Sequence, residues 1–226
     1  MKTITSRLLA GMLLTSALTR ATAQTVNIDF EGLPAMGFIS GNPVPASAQL
    51  SSQLLSTYGA SFTSESSSSF VAVVNLGAGH APSGVNGIGG VDSSGLLSYA
   101  TPFDVAFFLP SDTSTLAITD FVTIRGDLSY GSNQPVRLDA FDANGTLLAS
   151  DTSIDDHIFT LTVSHAGIHS IRVSEFDHVA WDDLSFGVLS VAVPEPSTIA
   201  IGGIGCVLLL GLRRRLPYAK KGQQLP

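Results

Sequence analysis

Between Phe103 and Gly187 one pattern recurs: a short run of alternating apolar and polar residues, then a cluster of turn formers. The runs are FDVAFFL (103–109), LAITDFVTIRG (116–126), VRLDAF (136–141), TLLAS (146–150), HIFTLTV (157–163), IHSIRV (168–173) and VAWDDLSFG (179–187). A period of two puts alternate side chains on opposite faces of a strand and cannot build the apolar stripe of a helix. Asn144-Gly145, between two such runs, predicts a hairpin with a primed turn, which needs positive φ. Strands at this spacing predict an all-β, antiparallel β-sandwich of jelly-roll type.

The first half is less regular. NIDFEGL (27–33) reads as an opening strand, and AQLSSQLLSTYG (48–59) as a short helix ending at Gly59. The Gly-rich stretch 77–90 reads as a surface loop. It lacks the Lys-Ser/Thr pair and following helix that a phosphate loop requires.

Both ends differ in kind from this body. Residues 1–23 join a short basic start to an apolar run, Leu8–Leu18, and the small residues Ala21-Thr22-Ala23, as in a cleavable signal peptide. At the other end, residues 191–198 form a linker containing Pro194-Glu195-Pro196, which cannot continue a helix from the body. Residues 199–212 follow as an apolar, Gly-rich stretch, about 21 Å long if helical. It is expected to enter a membrane. Arg213, Arg214 and Arg215 then open a basic tail, 213–226, that the positive-inside rule places in the cytoplasm.

The net charge of −7 hides a division. The ends hold eight of the 11 basic residues, so residues 24–193 carry 17 acids against Arg125, Arg137 and Arg172, and no Lys. Such a body lacks the basic footprint that binds phosphate backbones, which excludes nucleic acid as a partner. The single Cys, Cys206, lies in the apolar stretch, so the body has no internal disulfide.

The tail resembles the PEP-CTERM sorting signal of Gram-negative bacteria: a V-P-E-P-S-T box, a Gly-rich apolar helix and an Arg cluster. The resemblance implies signal peptidase and an exosortase as maturation partners. Pro194, Glu195 and Pro196 would be the recognition element and Arg213–Arg215 the stop. It further implies a membrane-anchored precursor and a final place at the cell surface or in extracellular polysaccharide. The LPYAKKGQQLP extension after the Arg cluster departs from that pattern. The body, with its DFE opening, YGASF segment and closing WDDLSF, looks like exported carbohydrate-binding jelly rolls. Those often hold a structural Ca²⁺ between first and last strands.

Carried over, that pattern makes Glu31 and Asp182 the first metal candidates, with Asp29 and Asp183 behind them. Alternation puts Asp182 on the core face with Leu184 and Phe186, where an acid is costly unless paired or metal-bound. It puts Asp183 on the other face with Trp181, a sugar-stacking platform if exposed. Tyr58, Tyr99 and Tyr130 are further aromatic candidates. Asp151, Asp155 and Asp156 lack the spacing of a calcium loop. No nucleophile elbow or zinc spacing appears, and His165 and His169 flank a turn. The expected function is therefore a non-catalytic structural or glycan-binding module, not an enzyme. The alternative is a secreted polysaccharide hydrolase using an unrecognised carboxylate pair.

Overall fold

The structure is a computed structural model and describes residues 24–65, 68–127, 135–154, 158–174 and 179–192. Residues 1–23, expected to be a signal peptide, lie outside the described residues with Pro194–Pro196, the 199–212 stretch, Arg213–Arg215, Tyr130, Asp155 and Asp156.

In chain order the strands of the first half are β1 (Val26–Ile28), β2 (Met36–Gly37), β3 (Gln49–Leu50), β4 (Ala60–Ser64), β5 (Val71–Asn75) and β6 (Asn86–Gly89). Those of the second are β7 (Phe103–Leu109), β8 (Asp112–Asp127), β9 (Val136–Phe141), β10 (Leu147–Ser153), β11 (Ile158–Ile168), β12 (Ser170–Ser174), β13 (Ala180–Phe186) and β14 (Ser190–Val191). Helix α1 (Leu55–Tyr58) is a single turn, closed by Gly59 at φ 75° with its N–H on the Leu55 carbonyl. A Cβ at Gly59 would lie 2.2 Å from the Phe108 carbonyl oxygen, so only glycine turns the chain there.

Two layers pack face to face. One has the order β10-β9-β12-β7-β4, antiparallel throughout. The other runs β11-β8-β13-β6-β5, with β1 on the later half of β13. The β7–β8 hairpin carries the chain between layers. One pair departs from the antiparallel expectation: β2 runs parallel to β5.

Alternation explains the core. On β7 the buried residues are Phe103, Val105 and Phe107; on β9 they are Val136, Leu138 and Ala140. They meet Val122 and Ile124 of β8, Phe159 and Leu161 of β11, and Trp181, Leu184 and Phe186 of β13 in one apolar cluster. Each large side chain so buried contributes about 1.5–3 kcal/mol. A smaller cluster, including Val44, Val74, Leu97, Tyr99 and Ala180, lies under the loops that cover the outer side of β5, β6 and β13.

The Gly-rich stretch is not simply a surface loop. Asn86–Gly89 forms a strand buried at all four positions. A Cβ at Gly87 would approach the Trp181 carbonyl to 2.9 Å, and one at Gly89 would approach the Tyr99 ring to 2.8 Å. These glycines admit neighbouring backbone and rings from both sides, which propensity alone cannot reveal.

The hairpin at Asn144-Gly145 forms, but without the primed turn. Only Gly145 has positive φ, 79°. Asp142 instead organises the loop, its Oδ1 accepting the amides of Asn144 and Thr146 at 2.8 Å each. Its N–H donates to the Thr146 carbonyl at 3.0 Å. The longer loop tolerates a single left-handed residue. The opening strand is also shorter than NIDFEGL, because Phe30 takes φ 58° and turns the chain after Ile28.

Candidate functional site

The expected faces of β13 are reversed by one residue. From Ala180 to Asp182 this strand pairs with β8 in one register, and a bulge between Asp182 and Ser185 shifts the rest. Asp183, at φ 48°, is the residue that absorbs the insertion. Trp181 therefore joins Leu184 and Phe186 in the core, fully buried, with its ring edge-on to Phe159 at 5.4 Å. It offers no face to a sugar. Tyr99 is also buried and donates its hydroxyl to the Phe38 carbonyl at 3.0 Å.

Asp182 points away from the main core, yet it is fully enclosed. The chain at Ser83 lies over it. Asp182 Oδ2 accepts the Ser83 amide at 2.8 Å and lies 3.0 Å from the Ser83 hydroxyl; Oδ1 accepts the Asp183 amide at 2.7 Å. The same hydroxyl lies 2.7 Å from Asp183 Oδ1, and Asp183 Oδ2 accepts Arg125 Nη1 at 2.6 Å. One hydroxyl proton thus faces two carboxylates. Burial pushes the Asp182 carboxyl up to about 6; the Asp183 charge adds to the rise, and the donated amides and hydroxyl oppose it. A proton on Asp182 completes the chain, with its O–H donating to Ser83 and Ser83 donating to Asp183.

Glu31 takes the other end of the same segment. Its Oε1 accepts the amides of Val85 and Asn86 at 2.8 and 2.6 Å. Asn86 returns its side-chain amide to the carbonyls of Phe30 and Leu33, both at 3.3 Å. Gly84 lies between the two anchors at φ 55°, where a Cβ would fall 2.2 Å from Glu31 Cδ. Asp29 serves locally, Oδ1 accepting the Glu31 amide at 3.3 Å.

Three of the four expected metal ligands, Glu31, Asp182 and Asp183, thus bond to one segment, residues 83–86, while Asp29 bonds the Glu31 amide; the four do not form one carboxylate cage. Among the described residues no group of three or more His, Cys, Asp or Glu converges. Protein donors satisfy Asp182 on both oxygens.

All three arginines of the body are paired with acids: Arg125 with Asp183, Arg137 with Asp139, and Arg172 with both Asp104 and Glu65. Arg172 grips Asp104 as a fork, Nε to Oδ1 at 2.8 Å and Nη2 to Oδ2 at 3.0 Å. The hydrogen bond to Asp104 is the main reason its pKa is raised. The remaining acids leave the surface anionic.

Sequence reasoning missed a cleft of about 710 Å³ at the far end of β8. Leu116, Ile118 and Leu148 supply apolar wall; Asp142, Asn144 and His165 supply polar groups; Ala192 closes one side. The β9–β10 turn brings Asp142 and Asn144, while an irregularity in β11 between Ser164 and Ile168 brings His165 and Gly167. His165 Nδ1 donates to the Ala166 carbonyl at 2.7 Å, which leaves Nε2 of the neutral ring as an acceptor. The only sequence signal was the pair of turns, each legible separately. His169 lies elsewhere, its Nδ1 donating to the Ala117 carbonyl at 2.9 Å.

A family model for the PEP-CTERM protein-sorting motif matches residues 192–215. The chain therefore carries a sorting motif that begins where the described body ends. No curated protein matches the sequence. Among solved structures, one similar chain is described as "Xylan-Binding Domain from CBM 22, formally x6b domain". It is 13% identical over 66% of this chain and 97% of that one, with a TM-score of 0.34. Among the described residues no helix is long and apolar enough to cross a membrane, and the expected span at 199–212 lies outside them.

Proposed function

We propose that this protein is an exosortase-processed precursor whose body works as a non-catalytic, glycan-binding module at the cell surface or in extracellular polysaccharide. The observation that carries the sorting half is the match at residues 192–215, which begins at the last described residue. Removal of the tail near Pro194–Pro196 would also remove Arg213–Arg215, leaving a strongly anionic body outside the cell.

The cleft supports the binding half. Its volume suits one or two sugar rings, with aliphatic wall for C–H faces and Asn144, Asp142 and His165 for hydroxyls. Catalysis is disfavoured by what the one acid among its described lining residues is doing: Asp142 is committed to two turn amides. Glycoside hydrolysis needs two carboxyls across the scissile bond. Ca²⁺ belongs to this proposal only as a stabiliser at Asp182 and Asp183, where it would have to displace donors already in place.

The test is a paired one. Deleting Pro194–Pro196 should leave the larger form in the membrane, whereas normal maturation would remove the sorting reading. The mature protein should bind the host's exopolysaccharide without releasing reducing ends; turnover abolished by one carboxylate change would establish the hydrolase instead.

A further inference from the structure

Among the described residues that line the cleft, one carries a carboxylate and none is Lys or Arg. That carboxylate, Asp142, spends Oδ1 on the amides of Asn144 and Thr146. The Thr146 amide is the main reason that it lies below the usual carboxylate range, so it is ionised at neutral pH. The same two bonds fix its orientation. Its Oδ2 lies 3.5 Å from Asn144 Nδ2, too far for that contact to use up its acceptor capacity.

No permanent cation stands by to pair with an acidic ligand. The three arginines of the body are engaged with Asp183, with Asp139, and with Asp104 and Glu65. Residues 24–193 contain no Lys and 17 acids, whose summed field repels a uronate or a phosphate substituent. The polar lining is instead rich in acceptors. Asp142 accepts only, and His165, with Nδ1 donating to the Ala166 carbonyl at 2.7 Å, keeps Nε2 as an acceptor. Beside them Leu116, 40% exposed, joins Ile118 and Leu148 as aliphatic wall open to a ligand.

We propose that the cleft selects a glycan with free amino groups, a partly de-N-acetylated amino-sugar polymer, with Asp142 Oδ2 pairing the ammonium and the aliphatic wall seating the ring. An ammonium brings three N–H donors where a sugar hydroxyl brings one, and its bond to a carboxylate is charge-assisted. An N-acetyl group in the same place offers a single N–H and no charge. This deepens the reading of the cleft as a glycan site and rests on that reading.

Isothermal titration of the full chain, in a detergent without sugar headgroups, tests the choice. The probes are oligomers of glucosamine, N-acetylglucosamine and galacturonic acid, equal in length. At neutral pH the glucosamine oligomer should bind at least about fivefold more tightly than its N-acetylated form, and the galacturonate oligomer should give no saturable heat. Raising the salt should shrink the preference in the unaltered protein, because a partly exposed ion pair is screened. Asp142→Asn keeps an acceptor for the turn amides and should abolish the preference. A preference that survives salt and Asp142→Asn, or galacturonate binding as tight as that of glucosamine, would overturn the proposal. Equal affinity for the glucosamine and N-acetylglucosamine oligomers, weakened for both in N144A/H165A, would overturn the amine preference and leave the glycan reading standing. No heat from any oligomer would overturn both.

Discussion

Ser83 donates its amide to Asp182, the one fully buried acid among the described residues, and holds its hydroxyl between Asp182 and Asp183. Two parts of the chain separated by 99 positions are joined at a group whose charge is disfavoured by burial. The arrangement gives stability a definite pH sense. The folded-state carboxyl is raised from 3.8 to about 6, so the native state holds the proton more tightly than the unfolded chain. Its contribution is complete below the unfolded value and is lost as pH rises through about 6.

The melting temperature should therefore rise as pH falls from 7 to about 5. Over that window the gain is at most about 1.3 kcal/mol, or roughly 3–5 °C for a body of this size. Asp112 and Asp142, both lowered by donated hydrogen bonds, act oppositely in more acidic solution. Thermal denaturation followed by circular dichroism across pH 4–8 measures this. Asp182→Asn should flatten the slope between pH 5 and 7; an unchanged slope would assign it to another group.

Gly84 is a second point where the segment over Asp182 is vulnerable. Gly84→Ala adds a Cβ at positive φ, against the Glu31 carboxylate, and should cost roughly 2–3 kcal/mol. Gly145→Ala meets only open space and should cost about 1 kcal/mol. Urea titration of both variants compares them directly. Equal losses would mean that the Glu31 contact is not what constrains Gly84.

Trp181 is the only tryptophan, so its fluorescence reports one site. Its emission should be that of a buried indole and should not shift when a glycan is added. Trp181→Ala should destabilise by about 3–5 kcal/mol. Trp181→Phe should retain glycan binding, a result incompatible with a stacking platform.

Millimolar Ca²⁺ tests the remaining metal proposal. A cation held by Asp182 and Asp183 should raise the melting temperature at pH 7, where the raised carboxyl is most costly, and the rise should vanish in Asp182→Asn. No rise in the wild-type protein ends that part of the account.

Alternation located β7 and β9 to the residue, because each has one buried face and one wet face. It failed at β13 for a physical reason: the bulge at Asp183 inserts one residue, and a single insertion exchanges the faces of everything before it. Trp181 and Asp182 were therefore assigned to each other's sides. Asn86–Gly89 was opaque because its glycines serve close packing rather than strand propensity. Glu31 and Asp182 were legible as special residues, but their partners at Ser83, Val85 and Asn86 were not. Nothing local in the sequence marks those backbone amides. The cleft was hidden for a similar reason, being made where two separate turns meet.

The central claim is that the body binds polysaccharide in the cleft between Asn144, His165 and Leu148. Isothermal titration of the mature protein with the host's exopolysaccharide measures it most directly, beside the N144A/H165A variant. The account predicts saturable heat for the wild type and an affinity at least about tenfold lower for the variant, the loss of two hydrogen-bonding side chains. Equal affinity in the two proteins, or no heat from either, would contradict it.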